Sequence, residues 1–147
     1  MILDNLLGLS LEAVVADASA IQRLLEAAIR SLADSRLAGI SPEGRFDMAY
    51  KAIMQSAMVA LHANGYRPLT SRPGHHQTAI QSLTHTIGLP ADAVIVLDAL
   101  RKQRNLSDDS GDLIPDAVAA ECMASAQALQ GHVLVWLKAH RPDMLSG

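Results

Sequence analysis

The sequence contains few aromatic residues and a single cysteine, and both scarcities restrict what the protein can be. Phe, Trp and Tyr make up 3% of the 147 residues, whereas apolar residues make up 50%. Since Ala, Leu, Ile, Val and Met dominate that apolar fraction and pack well between helices, the composition favours an all-helical protein. One cysteine, Cys122, cannot form an intrachain disulfide or a cysteine zinc site. A secreted, disulfide-stapled domain is therefore excluded, and a reducing cytoplasm fits best.

Long hydrophobic segments are also missing. Every apolar run meets a charged residue before the roughly 18 residues of a membrane-spanning helix. The opening residues, MILDNLLGLSLEA, lack the basic start of a signal peptide. We therefore expect a soluble, cytoplasmic protein, and its 147 residues are predicted to form one domain, 1–147.

The chain has no overall excess of positive charge, because its 12 Lys and Arg are outnumbered by 15 Asp and Glu. The distribution is uneven: residues 62–104 contain 5 basic and 2 acidic residues, whereas residues 105–147 contain 2 and 6. The middle segment also contains His62, His75, His76 and His85. A non-specific DNA-coating protein is therefore excluded, and anion-binding groups are expected in the middle of the chain.

The first half of the chain predicts two long helices. Apolar residues at steps of three and four indicate a first helix with Ser10 as N-cap and its end near Gly39. A second is predicted with Ser41 as N-cap, Pro42 at the first helical position and its end before Gly65. Its apolar stripe comprises Phe46, Tyr50, Ile53, Ala57 and Leu61.

The second half predicts a loop, one short helix and two long ones. The prolines and glycine of YRPLTSRPGHH exclude regular structure there, and a short helix follows from about His76 to Ile87. After Pro90, the segment ADAVIVLDALRKQRNL is compatible with a strand at AVIVL, but its flanks favour a helix. Pro115 opens the last helix, which ends near His140. Its predicted stripe is Val118, Cys122, Ser125, Leu129, His132 and Trp136.

These elements predict an all-α, antiparallel up-and-down bundle of four main helices plus a short extra helix. The heptad-like spacing of the stripes also suits a homodimer interface. Neither a metal site nor a cofactor is expected, because the His75-His76 pair lacks helical metal-ligand spacing and the chain has no glycine-rich phosphate loop. We expect His132 to be a satisfied core residue, and His62 and His85 to lie on the surface or at an interface.

The stretch RKQRNLSDDSG has two interpretations. Arg104 continues an apolar helical stripe in what is predicted to be its last turn. The structural interpretation is a cation at a helix C-terminus that pairs with Asp108 and stabilises the helix by about 0.3–1 kcal/mol. The functional one is an arginine held over a groove to bind a phosphate, with Asn105 fixing its orientation. Asp47 and Lys51 on the second helix are likewise spaced for an i,i+4 ion pair.

The Arg104-Asn105 pair resembles the hallmark of the HEPN family, small helical bundles in which Arg and Asn or Asp precede a histidine near a helix end. Three segments in order, GRFDMAYKAIMQSAMVALHANGYRP, SRPGHHQTAIQSL and LDALRKQRNLSDDSGD, are similar to a bacterial HEPN-like subgroup and extend the resemblance over nearly the whole chain. Family members with the full motif are metal-independent ribonucleases, often toxins paired with nucleotidyltransferases, whose motifs meet across a dimer. Here Asp109 occupies the position of the histidine.

The resemblance implies a site and a function. Asp109 is a poor proton carrier at neutral pH, so we expect binding of RNA or a nucleotide phosphate without efficient catalysis. The alternatives are an active ribonuclease with Arg104 and a substitute such as His76, or a structural partner of a nucleotidyltransferase or other protein in a toxin-antitoxin, phage or plasmid system. DNA binding is a weaker variant, because the last third is acidic. The implied phosphate-binding residues are Arg67, Arg72, His75, His76, Arg101, Arg104 and Asn105, with Asp47 and Tyr50 as orienting residues.

Overall fold

The computed structural model of the protein describes residues 3–71, 73–111 and 113–145, most of which are helical. The helices are α1 (Ala18–Ser35), α2 (Pro42–Ala63), α3 (His75–Gln81), α4 (Leu83–Ile87), α5 (Ala91–Ser110) and α6 (Asp116–His140). Short 3-10 turns at Asp4–Leu6 and Pro142–Met144 and a two-stranded sheet of β1 (Leu11–Ala13) and β2 (Tyr66–Pro68) complete the elements. The expected, mainly helical class is confirmed. Within the described ranges, no helix is long and apolar enough to cross a membrane.

Helix α2 begins and ends where its capping residues predict. The Ser41 hydroxyl accepts a hydrogen bond from the Gly44 backbone N–H at 3.0 Å, and Pro42 occupies the first turn, where its missing N–H costs nothing. The chain leaves the helix at Asn64, and Gly65 follows with φ of 87°. All five residues of the predicted stripe are buried.

The predicted start of the first helix is wrong. Helix α1 begins after Asp17, whose carboxylate accepts from the Ala20 N–H at 3.1 Å, and Leu11–Ala13 forms the strand β1 instead. This strand pairs antiparallel with Tyr66–Pro68, so regular structure also occurs at the start of the proline-containing loop. Because the pairing joins segments far apart in sequence, helical periodicity at Leu11 and beyond could not reveal it.

The segment after the loop contains two short helices, α3 and α4, which meet at Ser82. Gly88 ends α4 in the left-handed conformation, as predicted from its position after the last apolar residue. Helix α5 confirms the helical interpretation of AVIVL. It continues to Ser110 and ends at Gly111 with φ of 73°, so Asp108 and Asp109 are helical and do not form the predicted turn. Arg104 therefore does not lie at the helix end.

Helix α6 has the predicted extent but a different buried face. Ala119, Cys122, Ala126, Leu129, Val133 and Leu137 are buried, so just Cys122 and Leu129 of the predicted stripe reach the core fully. The buried face is rotated because small and branched side chains allow close packing of α6 on α2. The His132 Nε2 lies 2.8 Å from the Ile87 carbonyl oxygen, which confirms a satisfied, partly buried histidine.

The four long helices contribute unequally to the core. Helix α2 lies between α1 and α6 and buries residues along nearly its whole length. Helix α5, all of which the structure describes, buries just Leu97 and Leu100. It makes fewer contacts with α2 than with the short helix α3. This arrangement leaves an open space bordered by α2, α3 and Arg104 of α5.

Candidate functional site: a cleft between helices α2, α3 and α5

The cleft that we call the Arg104 cleft lies along α2 and has a volume of about 460 Å³. It combines cationic, aromatic and methionine side chains from α2 with one residue each from α3 and α5. Its lining residues are Asp47, Met48, Tyr50, Lys51, Met54, Gln55, Met58, His76 and Arg104. Four site candidates proposed from the sequence, Asp47, Tyr50, His76 and Arg104, therefore meet in one place.

Tyr50 anchors the centre of the cleft. The residue is 3% exposed and its ring stacks on Phe46 with 6.4 Å between ring centroids, so the core fixes its position. The Arg104 guanidinium carbon lies 5.0 Å from the Tyr50 ring centroid, a cation–π distance. Burial raises the pKa of Tyr50 to about 12, although Arg104 and Arg101 oppose that rise. The hydroxyl therefore stays protonated at neutral pH and can act as a hydrogen-bond donor.

His76 connects α3 to this centre. Its Nδ1 lies 3.2 Å from the Tyr50 Oη, and the His75 ring packs edge-on against it at 4.9 Å. Burial lowers the pKa of His76, and the neighbouring His75, Arg104 and Arg101 lower it further. His76 is thus neutral at pH 7, with its Nδ1 directed to Tyr50 and no hydrogen bond from the described residues to its Nε2. The tautomer decides whether that second nitrogen donates or accepts.

Arg104 is only loosely paired within the protein. Its Nε lies 3.8 Å from an Asp108 carboxylate oxygen, and the two side chains are 34% and 57% exposed. An exposed pair at this distance contributes at most about 1 kcal/mol. Burial raises the pKa of Asp47, Asp108 raises it further, and Arg104 opposes the rise. Asp47 thus lies in the field of Arg104, but its predicted ion pair with Lys51 is not among those formed in the described parts of the chain.

A second, smaller cleft of about 270 Å³ shares His76 with the first. This Arg101 cleft is lined by Gly74, His75, His76, Gln77, Arg101 and Asn105. Arg101 differs from Arg104 because it is 15% exposed and its Nε donates to Asp98 at 2.8 Å. That hydrogen bond holds the pKa of Asp98 below its usual range. Asn105 is exposed and lines this cleft, whereas Arg104 lines the first one.

Two predicted residues lie elsewhere, and a third is not described. Arg67 is on β2, where its guanidinium forms an ion pair with Glu12 of the neighbouring strand. Asp109 is exposed on the last turn of α5 and lines neither cleft. Arg72 lies outside the described residues. Of the remaining histidines, His85 is exposed and His62 is half-buried, with burial lowering the pKa of His62.

Sequence reasoning missed the apolar part of the Arg104 cleft. Met54, Gln55 and Met58 follow Lys51 along α2 at helical spacing and line the cleft beyond Tyr50. The repeated methionines of DMAYKAIMQSAM were the available signal, since methionine is frequent at adaptable binding surfaces. The predicted apolar stripe of α2 faces the core, and the cleft residues Lys51, Gln55 and Met58 lie beside it.

Among the described residues there is neither a cluster suited to a metal ion nor a reactive thiol. Within the described residues, no cluster of three or more His, Cys, Asp and Glu side chains could hold a metal ion. Cys122 is buried, with its Sγ 3.7 Å from the Phe46 carbonyl oxygen, and burial raises its pKa to about 12. The thiol is therefore unreactive at neutral pH.

Comparisons with known proteins add no functional information. No protein-family model matches the sequence, and no curated protein or solved structure matches it significantly. The function must therefore be inferred from the residues that meet in the two clefts.

Proposed function

We propose that the protein is an HEPN-like, four-helix module that binds a phosphate of RNA or of a nucleotide in the Arg104 cleft. The observation that carries this proposal is the Arg104 guanidinium, which packs over the Tyr50 ring in a cleft that also contains Lys51 and His76. Cation–π packing fixes the plane of the guanidinium fork, and a planar fork suits bidentate contact with a phosphate.

The electrostatic setting supports reversible phosphate binding. Among the described residues Arg104 pairs with Asp108 at 3.8 Å, and an incoming phosphate can displace that exposed carboxylate at little cost. Neutral His76 can donate one hydrogen bond through the nitrogen that does not contact Tyr50. Asp47 lies close enough to influence Arg104, so its carboxylate limits how strongly the cleft attracts anions. Moderate, salt-sensitive affinity is the expected result.

A metal-independent ribonuclease is the second candidate, because His76 lies in the same cleft as Arg104. In the tautomer whose Nδ1–H donates to Tyr50 Oη, the other nitrogen can accept a proton from an RNA 2′-hydroxyl. The 2′-oxygen would then attack the adjacent phosphorus while the bond to the 5′-oxygen breaks. That oxygen would take a proton from water, the resulting hydroxide would take the proton held by His76, and a 2′,3′-cyclic phosphate would remain. Arg104 would stabilise the charge that develops on the phosphorane.

One titration tests both candidates. Fluorescence anisotropy of a labelled single-stranded RNA is measured at two salt concentrations, and the same samples are run on a gel to detect cleavage. We expect salt-sensitive binding that weakens at least tenfold in Arg104→Ala. The matched control is Arg30→Ala, which removes an exposed arginine of α1 that lines neither cleft.

The outcomes separate the alternatives. Cleavage by wild type that is lost in both Arg104→Ala and His76→Ala would establish the ribonuclease, whereas binding without cleavage supports a binding module. Equal weakening in Arg104→Ala and Arg30→Ala would refute a specific site. An absence of RNA binding by wild type would refute RNA as the ligand, and an absence of nucleotide binding as well would refute the proposal and favour a structural partner role.

We also propose that the protein forms a homodimer through α6. One face of this helix is solvent-exposed over residues spaced three and four apart: Ala117, Glu121, Ala124, Ala128, Gly131, Val135 and Lys138. Small residues in the middle allow two helices to approach closely. If two α6 helices cross antiparallel between Ala128 and Gly131, Glu121 of one copy lies opposite Lys138 of the other.

Sedimentation equilibrium of wild type and Gly131→Glu tests this interface. A Cβ at Gly131 meets no atom within 4 Å, and glutamate favours a helix more than glycine does, so the variant should fold. We expect wild type to dimerise and the variant to be monomeric, because like charges would meet at the crossing. A dimer that persists in the variant would exclude this face.

A further inference from the structure

The Arg104 cleft continues well beyond the guanidinium. Met54 and Met58 follow Tyr50 by one and two turns of α2, which corresponds to roughly 6 and 12 Å along the helix axis. Both line the same cleft as Arg104 and His76. The cleft therefore has a polar end at Arg104 and an apolar end at Met58, and a phosphate would occupy the polar end alone.

The apolar end is lined by thioethers. Met54 is 6% exposed and packs in the core, whereas Met58 is half-buried at the cleft surface. Methionine side chains are flexible and polarisable, and their sulfur atoms make favourable contacts with aromatic rings. This end of the cleft therefore suits a flat aromatic group, and it can adapt to rings of different size.

Gln55 supplies a directional polar group between the two ends. Its Oε1 accepts a hydrogen bond from the Ser31 hydroxyl of α1 at 2.9 Å. That contact fixes the amide so that its NH₂ group remains a donor, and in the described parts of the chain no acceptor bonds to it. A ring carbonyl or ring nitrogen of a ligand is the complementary group.

We infer that the Arg104 cleft binds a whole nucleotide, with its phosphate at Arg104 and His76 and its base against Met54 and Met58. The inference rests on the proposed phosphate site and adds the base. Gln55 donates to an acceptor on the base edge. Because a base must be unstacked and unpaired to enter such a cleft, the ligand is a single-stranded RNA nucleotide or a free nucleotide rather than a duplex.

Competition against the labelled RNA tests the inference. Nucleoside 5′-monophosphates, ribose 5-phosphate and inorganic phosphate are titrated separately into the protein–RNA complex. We expect at least one nucleoside monophosphate to compete at a concentration tenfold or more below that of ribose 5-phosphate. Equal competition by nucleotide and sugar phosphate would overturn the base site while leaving the phosphate site intact.

Paired variants localise the effect. Met58→Ala and Gln55→Met should bring the nucleotide close to ribose 5-phosphate in potency, whereas Arg104→Ala should weaken both competitors. Met123→Ala is the matched control, because Met123 is a partly buried methionine of α6 outside the cleft. Thermal denaturation verifies that each variant is folded.

A preference for nucleotide over ribose 5-phosphate that persists in folded Met58→Ala and Gln55→Met would overturn the assignment of the base to this end. Failure of every phosphate compound to compete would instead count against the proposed function itself.

Discussion

Helices α2 and α5 are similar in length, 22 and 20 residues, but they contribute to the protein in opposite ways. Helix α2 is packed between α1 and α6, and its buried Tyr50 has a fixed position. Helix α5 is largely exposed, and it contributes Arg104 and Arg101 to the two clefts. The difference shows how the cleft arises: a rigid helix supplies the aromatic support, and a lightly packed helix supplies the cations.

The largest difference between the two helices should appear when a buried side chain of each is truncated and the free energy of unfolding is compared. Ile53 of α2 is fully buried, and Ile53→Ala should lower the free energy of unfolding by about 3–4 kcal/mol. Leu100 of α5 is 4% exposed but lies in a less crowded region, so Leu100→Ala should cost about 2–3 kcal/mol. Urea denaturation of both variants measures the difference. An equal or greater loss for Leu100→Ala would contradict the unequal packing.

Two arginines one turn apart on α5, Arg101 and Arg104, should differ in how much each contributes to stability. Arg101→Ala removes the partner of the largely buried Asp98 and should cost about 1–2 kcal/mol, with Lys102 at 3.5 Å as partial compensation. Arg104→Ala should cost less than about 1 kcal/mol, because its pair with Asp108 is exposed.

RNA affinity should follow the reverse order, with the greater loss in Arg104→Ala. Denaturation and anisotropy measured on the same preparations test this contrast. If Arg104→Ala proves the more destabilising and Arg101→Ala the weaker binder, the assigned roles are exchanged.

The N-termini of the two helices give a smaller effect. The Ser41 hydroxyl caps α2, and Ser41→Ala should lower the free energy of unfolding by about 1 kcal/mol. Helix α5 has Pro90 at the equivalent position and no side-chain cap, so Pro90→Ala removes no such hydrogen bond. Thermal or urea denaturation of the two variants compares them. A loss in Pro90→Ala as large as that in Ser41→Ala would show that capping is not the cause.

The smallest effect concerns the pH dependence of His76. Since burial holds its folded-state pKa below 6.5, both states are neutral above pH 6.5 and the histidine costs no stability there. As the pH falls below 6.5, the unfolded chain binds a proton that the folded chain does not, and the free energy of unfolding decreases until the folded-state pKa is reached. In His76→Gln this decrease should be smaller, with the remainder due to groups such as His62. Urea denaturation at about pH 7.5, 6.5 and 5.5 measures the change. An identical slope in the variant would exclude His76 as a contributor.

Much of the fold follows from short-range sequence signals. Ser41, Pro42 and Asn64 determine the limits of α2, and Gly88 ends α4, because caps and left-handed glycines act within a few residues. The start of α1 was not predictable in this way. Leu11–Ala13 satisfies the helical period, but backbone pairing with Tyr66–Pro68 makes it a strand, and no local signal reports that partner.

The candidate site likewise has features that the local sequence predicts and features that depend on tertiary packing. The sequence by itself determined the chemistry of Arg104, His76, Tyr50 and Asp47, because their side chains carry it wherever they lie. Tertiary structure alone decided that these four meet in one cleft, that Arg67 pairs with Glu12 away from it, and that methionines extend it. The physical reason is that side-chain chemistry and capping are local properties. Their convergence depends instead on how α2, α3 and α5 pack against one another.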